Sequence, residues 1–356
     1  MAVHTQRPGD AAALAPAGAV PHPETWAKRP GLVSLVVPVY REEKGIGHFC
    51  EAVIRVMDDL GQPCEIIFVE DDSPDRSLEM IRQLHRRYPG VVRALSMSRR
   101  FGHQVSLAAG FEAAAGDVVV CMDSDMQHPP EMLPLLLWKW SQGYQLVYTR
   151  RRKQQGRGLL KEQASRLFYA AINRLSEIRF EDGTADFRLM DRVVVDALRR
   201  FSERWIFYRG LVQWAGFRRT AVVYDAPDRF AGTSSYTWSR MLRMGLDTVF
   251  AFSLVPLRFS YVVGTASLAA TLAYAAWTML VWLRDGSAVP GYTSLVLLVS
   301  FLGSLHLICL GIVGEYVGRV HEQVKNRPLY LVKERIGLPG PGTEDAGRKA
   351  EAPRAA

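Results

Sequence analysis

The stretch Cys121 to Glu131 reads Cys-Met-Asp-Ser-Asp-Met-Gln-His-Pro-Pro-Glu, with two carboxylates, Asp123 and Asp125, one residue apart where the apolar run Val118 to Met122 ends. On a bent strand end both acids can reach one hard cation, and Gln127 can add a neutral oxygen ligand. A divalent ion held that way can screen a diphosphate. The same residues also suit a solvated turn, since Asp and Pro are ordinary turn formers. A bare Asp-x-Asp does not separate the two.

Other charged groups fall at similar places. The loop Glu70-Asp71-Asp72-Ser73-Pro74-Asp75 is unusually acidic for a chain of formal net charge +8. The basic run Arg150-Arg151-Arg152-Lys153 follows the strand-like Tyr144 to Thr149 and reads as a solvated loop or as a clamp for phosphate. Glu181 to Asp191 is a polar stretch containing Asp186 and Arg188. These two form either a surface turn with an ion pair or an acid that returns to a crevice as general base.

The elements that must position these groups alternate. Apolar runs at Leu32 to Tyr40, Glu65 to Val69, Val91 to Met97, Asp117 to Met122 and Tyr144 to Thr149 read as buried strands. Helical periodicity over Ile46 to Leu60, Ser77 to Tyr88, Gln104 to Ala115, the segment after Glu131, Leu159 to Leu175 and Val193 to Phe201 separates or follows them. Such alternation predicts a mostly parallel sheet covered on both faces, with ligands gathered at strand carboxyl ends. The acidic loops and Tyr40 are then expected to converge on one crevice.

With 356 residues, the chain is long enough for about two units. Its positive charge clusters beside long apolar runs, which points to a membrane with anionic lipids and away from nucleic acid. Cys50, Cys64, Cys121 and Cys309 show no metal-like spacing and suit a reduced, cytosol-facing domain. Residues 1–30 read as a disordered leader; within them Ala11 to Val20 is too proline-broken for a signal peptide. Beyond Trp205, aromatics alternate with Arg204, Arg209, Arg218 and Arg219, a pattern suited to the headgroup level of a bilayer. Tyr236 to Phe252 is patterned as an interfacial amphipathic helix. Phe259 to Leu283 carries no charge and is long enough to span a bilayer, and a second uncharged run extends from Gly286 to Gly314. Arg240, Arg243 and Arg258 before the first span, with Arg319, Lys325 and Arg327 after the second, place both termini in the cytosol.

The order of these parts carries a resemblance. Val36-Val37-Pro38-Val39-Tyr40-Arg41-Glu42-Glu43, Val69 to Asp75, Ser98 to Gly102, Met122 to Glu131, Asp186 to Met190, Ser253 to Arg258 and Glu315 to Lys333 occur in sequence, the spans lying between the last two. Residues 32 to 335 thereby resemble the family 2 glycosyltransferases that load a sugar onto a polyprenyl phosphate, a group including dolichol-phosphate mannose synthases and bacterial undecaprenyl-phosphate glycosyltransferases. The resemblance implies a GT-A (Rossmann-like α/β) catalytic domain over 31–230, interfacial helices over 231–257 and a transmembrane hairpin over 258–284 and 293–315. A cytosolic segment over 316–336 and a disordered tail over 337–356 complete the plan.

It also implies ligands. Pro38, Tyr40, Glu42 and Asp71 would line the nucleotide of a nucleotide-diphosphate sugar, together with Asp123, Ser124 and Asp125. Asp123, Asp125 and Gln127 would hold Mg²⁺ or Mn²⁺, with Asp125 and Asp186 as the catalytic acids. Arg188, Arg209, Arg229 and the Gly232 to Tyr236 loop, with Ser235 where many relatives have Lys, would meet the diphosphate or the lipid phosphate. The expected reaction is an inverting transfer to a polyprenyl phosphate, by inference undecaprenyl phosphate, at the cytosolic face of the bacterial inner membrane, by a multi-pass protein that can self-associate. A processive polysaccharide synthase of the same superfamily would need more spans and a Gln-x-x-Arg-Trp motif that is absent. A non-catalytic scaffold with this fold is the remaining alternative.

Overall fold

Continuous apolar strands buried on both faces, separated by one-sided helices, can only be satisfied by a layered α/β arrangement. The computed structural model describes residues 20–152, 184–201, 203, 208–225, 255–285 and 291–339. The chain forms two units, one of residues 1–162, 180–235 and 328–356, the other of residues 163–179 and 236–327.

The first unit is built on β1 (Val33–Val39), α1 (Ile46–Asp59), β2 (Cys64–Glu70), α2 (Ser77–Arg87), β3 (Val92–Met97), α3 (His103–Ala113), β4 (Val118–Cys121), α4 (Leu133–Ser141) and β5 (Leu146–Arg151). There follow β6 (Thr184–Asp191), α5 (Arg192–Leu198), α6 (Tyr208–Trp214), β7 (Arg219–Tyr224) and, near the end of the chain, β8 (Val332–Ile336). The eight strands make one sheet in the order β7-β5-β6-β4-β1-β2-β3-β8. Strands β1, β2, β3 and β4 are mutually parallel, β6 runs antiparallel between β4 and β5, β7 is parallel to β5, and β8 is antiparallel to β3. The expected mostly parallel sheet is therefore present.

The period-two alternation of β1 divides the interior. Val33, Leu35, Val37 and Val39 join a core with Ile46, Phe49 and Val53 of α1 and Ile81 of α2. Val36 faces α3, where Gly110 comes so close that a Cβ there would lie 2.2 Å from Val36 Cγ1. Two arginines, Arg192 at the start of α5 and Arg199 just past its end, secure the carboxyl end of α3. Arg192 Nη2 donates to Ala114 O at 3.1 Å, and Arg199 Nε donates to Phe111 O at 2.8 Å, placing positive charge where a helix leaves its carbonyls unpaired.

Three strands depart from the sequence expectation. The polar stretch over Glu181 to Asp191 contains the central strand β6, whose charged side chains Asp186 and Arg188 are paired with each other in the interior. β7 begins where an interfacial Arg-aromatic surface was expected, and Tyr208 is buried edge-on to Phe111 with centroids 4.9 Å apart. β8 returns as a sheet edge held by Arg82 Nη2 to Glu334 Oε2 at 2.6 Å, where only a cytosolic segment was foreseen. The leader expectation also shortens: Trp26 is buried in the core and donates from Nε1 to Pro21 O at 2.9 Å, so residues 20–30 belong to the packed unit. Residues 1–19, the helix expected over Leu159 to Leu175 and the interfacial helix expected over Tyr236 to Phe252 lie outside the described residues.

The second unit contains α7 (Val255–Asp285) and α8 (Tyr292–Val324), which pack against each other. Leu257–Trp277 and Phe301–Val324, 21 and 24 residues, are long and apolar enough to cross a membrane. Phe259, Leu268, Trp277, Phe301 and Leu307 are exposed on them, as a lipid-facing surface requires.

Replacing Gly110 by Ala is expected to destabilise the protein by about 1–3 kcal/mol through overpacking against Val36, read as a lower unfolding midpoint in detergent. Adding Val36→Ala should recover part of that loss. Strict additivity of the two changes would show that the close approach is not the cause.

Candidate functional site

Pro38 explains how the sheet opens. Val36 O accepts the last β4 bond, from Met122 N at 3.1 Å, so by strand alternation the missing N–H of Pro38 faces the side where β4 has already ended. β1 continues beside β2 alone, with Pro38 opposite Val69 and Val39 opposite Glu70. The loops after β1, β2, β3 and β4 thus emerge at one edge with room between them, as expected for ligand binding in a parallel sheet.

Neighbouring loops are stitched together. Arg41 N–H donates to Ser73 Oγ at 2.7 Å, Glu42 N–H to Ser77 Oγ at 3.1 Å, and Glu43 N–H to Asp75 Oδ2 at 3.2 Å. Burial alone would raise the Asp75 pKa, but hydrogen bonds from Ser73, Ser77 and the Glu43 backbone outweigh it and hold the carboxyl below its ordinary range. Glu70 accepts from Ser73 N–H and, at 2.7 Å, from Ser96 Oγ. Asp71, buried, receives Phe101 N–H on Oδ1 at 2.6 Å and Gly102 N–H on Oδ2 at 2.8 Å. The basic loop before α3 is fixed by that carboxylate, and Arg100 lies over the Tyr40 ring, 3.9 Å from its centroid. Tyr40, Glu42 and Asp71 therefore share one wall, with Asp71 acting on the backbone that shapes it.

The turn after β4 forms the adjacent wall. Asp123 N–H donates to His128 Nδ1 at 2.9 Å and Gln127 N–H to Asp125 Oδ1 at 3.1 Å, while Met126 takes the positive φ of 62° that the reversal demands. Asp123, Asp125 and Gln127 are half-buried. Ser124 is buried with no partner for its Oγ, and a Cβ on Gly45 of the β1 loop would lie 3.2 Å from Ser124 O. His128 is 1% exposed and stacks on Phe187 with centroids 5.0 Å apart and planes 20° apart. Burial pushes its pKa below the ordinary value against the opposing pull of Asp123.

From β6, Asp186 and Arg188 reach the same edge, since Arg188 pairs with Cys121 in the ladder and Asp186 lies two residues beyond. Arg188 Nη2 meets Asp186 Oδ1 at 2.7 Å, with both side chains less than a tenth exposed. The other oxygen, Oδ2, lies 3.5 Å from His103 Nε2 at the start of α3. The two residues do form an ion pair, but a buried one on a strand instead of one on a surface turn, and that strand carries the acid to the crevice edge.

The remaining expected groups are placed less fully. Arg209 lies on α6, its side chain outside the described residues, as are Arg229, Ser235 and Lys153. In the basic run, Arg151 Nε donates to Tyr224 OH at 3.1 Å and Arg152 pairs with Asp225 at 3.2 Å. Burial lifts the thiols of Cys50 and Cys64 to about 12, so neither supplies a thiolate near neutral pH. His103, His128 and Tyr224 were not foreseen as part of this edge. The only signal in the sequence was the position of each histidine directly beside a motif residue.

An oxygen-only set of two carboxylates and an amide suits Mg²⁺ or Mn²⁺, and the partnerless Ser124 hydroxyl marks the same turn as built for a ligand. Among the described residues no group of three or more His, Cys, Asp or Glu closes a protein-only metal cage. A bound ion would therefore share its coordination with phosphate oxygens and water.

Comparison with known proteins agrees with this layout. The model of glycosyl transferase family 2 matches residues 34–199, from β1 through α5. An uncharacterised glycosyltransferase of Synechocystis sp. is 40% identical over 306 residues, covering 86% of this chain and 96% of that protein. The SfII prophage-derived bactoprenol glucosyl transferase of Shigella flexneri is 36% identical over 302 residues, covering 85% of this chain and 97% of that protein. Among solved structures, a Mycobacterium tuberculosis glucosyl-3-phosphoglycerate synthase with Mn²⁺, UDP and phosphoglyceric acid aligns at 20% identity and TM-score 0.41, covering 62% of this chain and 76% of that one. Identity of 36–40% over nearly the whole length of these relatives, with the family model matching from β1 through α5, leaves a single assignment: the chain belongs to glycosyl transferase family 2.

Proposed function

We propose that this glycosyltransferase moves a sugar from a nucleotide-diphosphate sugar to a polyprenyl phosphate at the cytosolic face of a membrane. The observation that carries the reading is the meeting, at one sheet edge, of the Asp123-Ser124-Asp125 turn with the Asp186–Arg188 pair. Relatives named bactoprenol glucosyl transferases support the acceptor class and make glucose the first donor to test. The positive charges of Arg258 in the first turn of α7 and of Arg319, Lys325 and Arg327 late in and after α8 support a hairpin with both termini in the cytosol. A processive synthase is disfavoured by the two candidate spans among the described residues.

In this mechanism the wall of Tyr40, Glu42 and Asp71 holds the nucleotide, and the Asp123 to Gln127 turn faces the diphosphate. Asp123, Asp125 and Gln127 would hold a divalent cation, which supplies positive charge against the departing nucleoside diphosphate. The lipid phosphate oxygen attacks the anomeric carbon as its bond to the diphosphate breaks, with inversion. A phosphate monoester has its second pKa near 6, so the acceptor is largely dianionic at neutral pH and needs no strong base. Asp186, neutralised by Arg188, orients groups around the acceptor. Arg209, Arg229 and the loop containing Ser235 are proposed to meet phosphate.

Asp125→Asn should lower Mn²⁺-dependent transfer to undecaprenyl phosphate on the order of 100-fold or more, measured with labelled UDP-glucose and a panel of other nucleotide sugars. Transfer at the wild-type rate would remove Asp125 from the mechanism. Arg188→Ala takes the guanidinium away from a buried carboxylate and should cost about 3–5 kcal/mol of stability, visible as a lowered unfolding midpoint. An unchanged midpoint would contradict the buried pair.

A further inference from the structure

We infer that His128 is a positioning residue for the donor site, its Nδ1 setting the direction of Asp123 by accepting that residue's backbone N–H. The inference rests on the proposed function for the meaning of Asp123, and on geometry for the rest. The N–H to Nδ1 distance is 2.9 Å, so Nδ1 is the lone-pair nitrogen and the ring proton sits on Nε2. This bond closes a reversal of six residues, Asp123 to His128, at whose centre Met126 has φ 62° and after which Pro129 and Pro130 carry the chain away.

The ring itself has little freedom. It is stacked on Phe187 and meets Tyr224 edge-on with centroids 6.5 Å apart, and these two rings cross at 90°. Both supports are anchored in turn: Phe187 O accepts from Thr149 Oγ1 at 2.9 Å, and Tyr224 OH accepts from Arg151 Nε. Phe187 lies between Asp186 and Arg188 on β6. The turn facing the donor is thus registered against the strand that carries the acceptor-side pair, through one imidazole that both accepts and stacks. No other side chain combines a flat aromatic face with a lone pair at that place: phenylalanine would fill the space without accepting, and asparagine would accept without filling it.

The test uses the full-length protein in detergent, with Mn²⁺ and UDP as probes and GDP in parallel, free Mn²⁺ being followed by electron paramagnetic resonance. Asparagine sets its carbonyl oxygen where Nδ1 lies, and glutamine sets it nearer the Nε2 position. His128→Asn is therefore expected to bind Mn²⁺ with nucleotide within about 3-fold of wild type, while His128→Gln and His128→Phe weaken binding about 10- to 100-fold, in line with the cost of stranding a backbone donor. Transfer assays should show the same ranking in donor KM, with unfolding midpoints recorded for every variant. Equal binding by His128→Phe and wild type, or by the asparagine and glutamine variants, would overturn the positioning role alone. Absence of nucleotide-dependent Mn²⁺ binding by the wild-type protein would overturn the donor-site reading and this inference with it.

Discussion

Two backbone N–H groups, from Phe101 and Gly102, converge on the buried carboxylate of Asp71, and much of the crevice depends on that convergence. A carboxylate withdrawn from water is costly unless its charge is met, and here donors from the next loop meet it. The same bonds start α3 at a defined place, since Gly102 has φ 99° and precedes the helix directly. The position of α3 in turn sets His103 beside Asp186 and Arg100 over Tyr40. The β2 and β3 loops therefore behave as one assembly, and Glu70, shared between Ser73 and Ser96, repeats the device one residue earlier.

The β6 side of the edge is organised by the opposite solution. Arg188 and Asp186 satisfy each other on a central strand, with Tyr208 O 3.4 Å from Arg188 Nη1. A buried pair of this kind adds little net stability compared with apolar packing, but losing one member is expensive. Its value here is placement: a fixed negative and a fixed positive charge are held beside a turn that already carries two acids. Arg151 brings further positive charge to the same region, and both it and Asp186 act electrostatically on His128.

The parts visible in the sequence were those governed by periodicity. β1 to β4 and the helices between them lie within one or two residues of their expected limits, because strands buried on both faces and one-sided helices leave strong patterns. β6 was missed because its charged residues imitate a polar loop; only their mutual pairing makes a strand there tolerable. β8 was missed because a short edge strand with lysine, glutamate and arginine carries little hydrophobic signal, and β7 because its Ala-Val-Val-Tyr run directly follows the Arg-aromatic stretch that suits an interface. Asp123 and Asp125 were legible from type and spacing, whereas the part played by His128 depends on which backbone N–H its ring meets, and no local pattern encodes that.

The antiparallel pairing of β8 with β3 has a consequence for biosynthesis. β8 follows both long apolar helices in chain order, so the ribosome completes every other described strand of the sheet, and then α7 and α8, before it is made. Chains emerge amino end first. Throughout that interval β3 presents an unpaired edge, the kind of surface that recruits foreign strands. The nascent catalytic unit is thus unfinished until both hydrophobic helices have been made, and completion of the sheet is timed by the arrival of Val332–Ile336, not by the folding of the first two hundred residues.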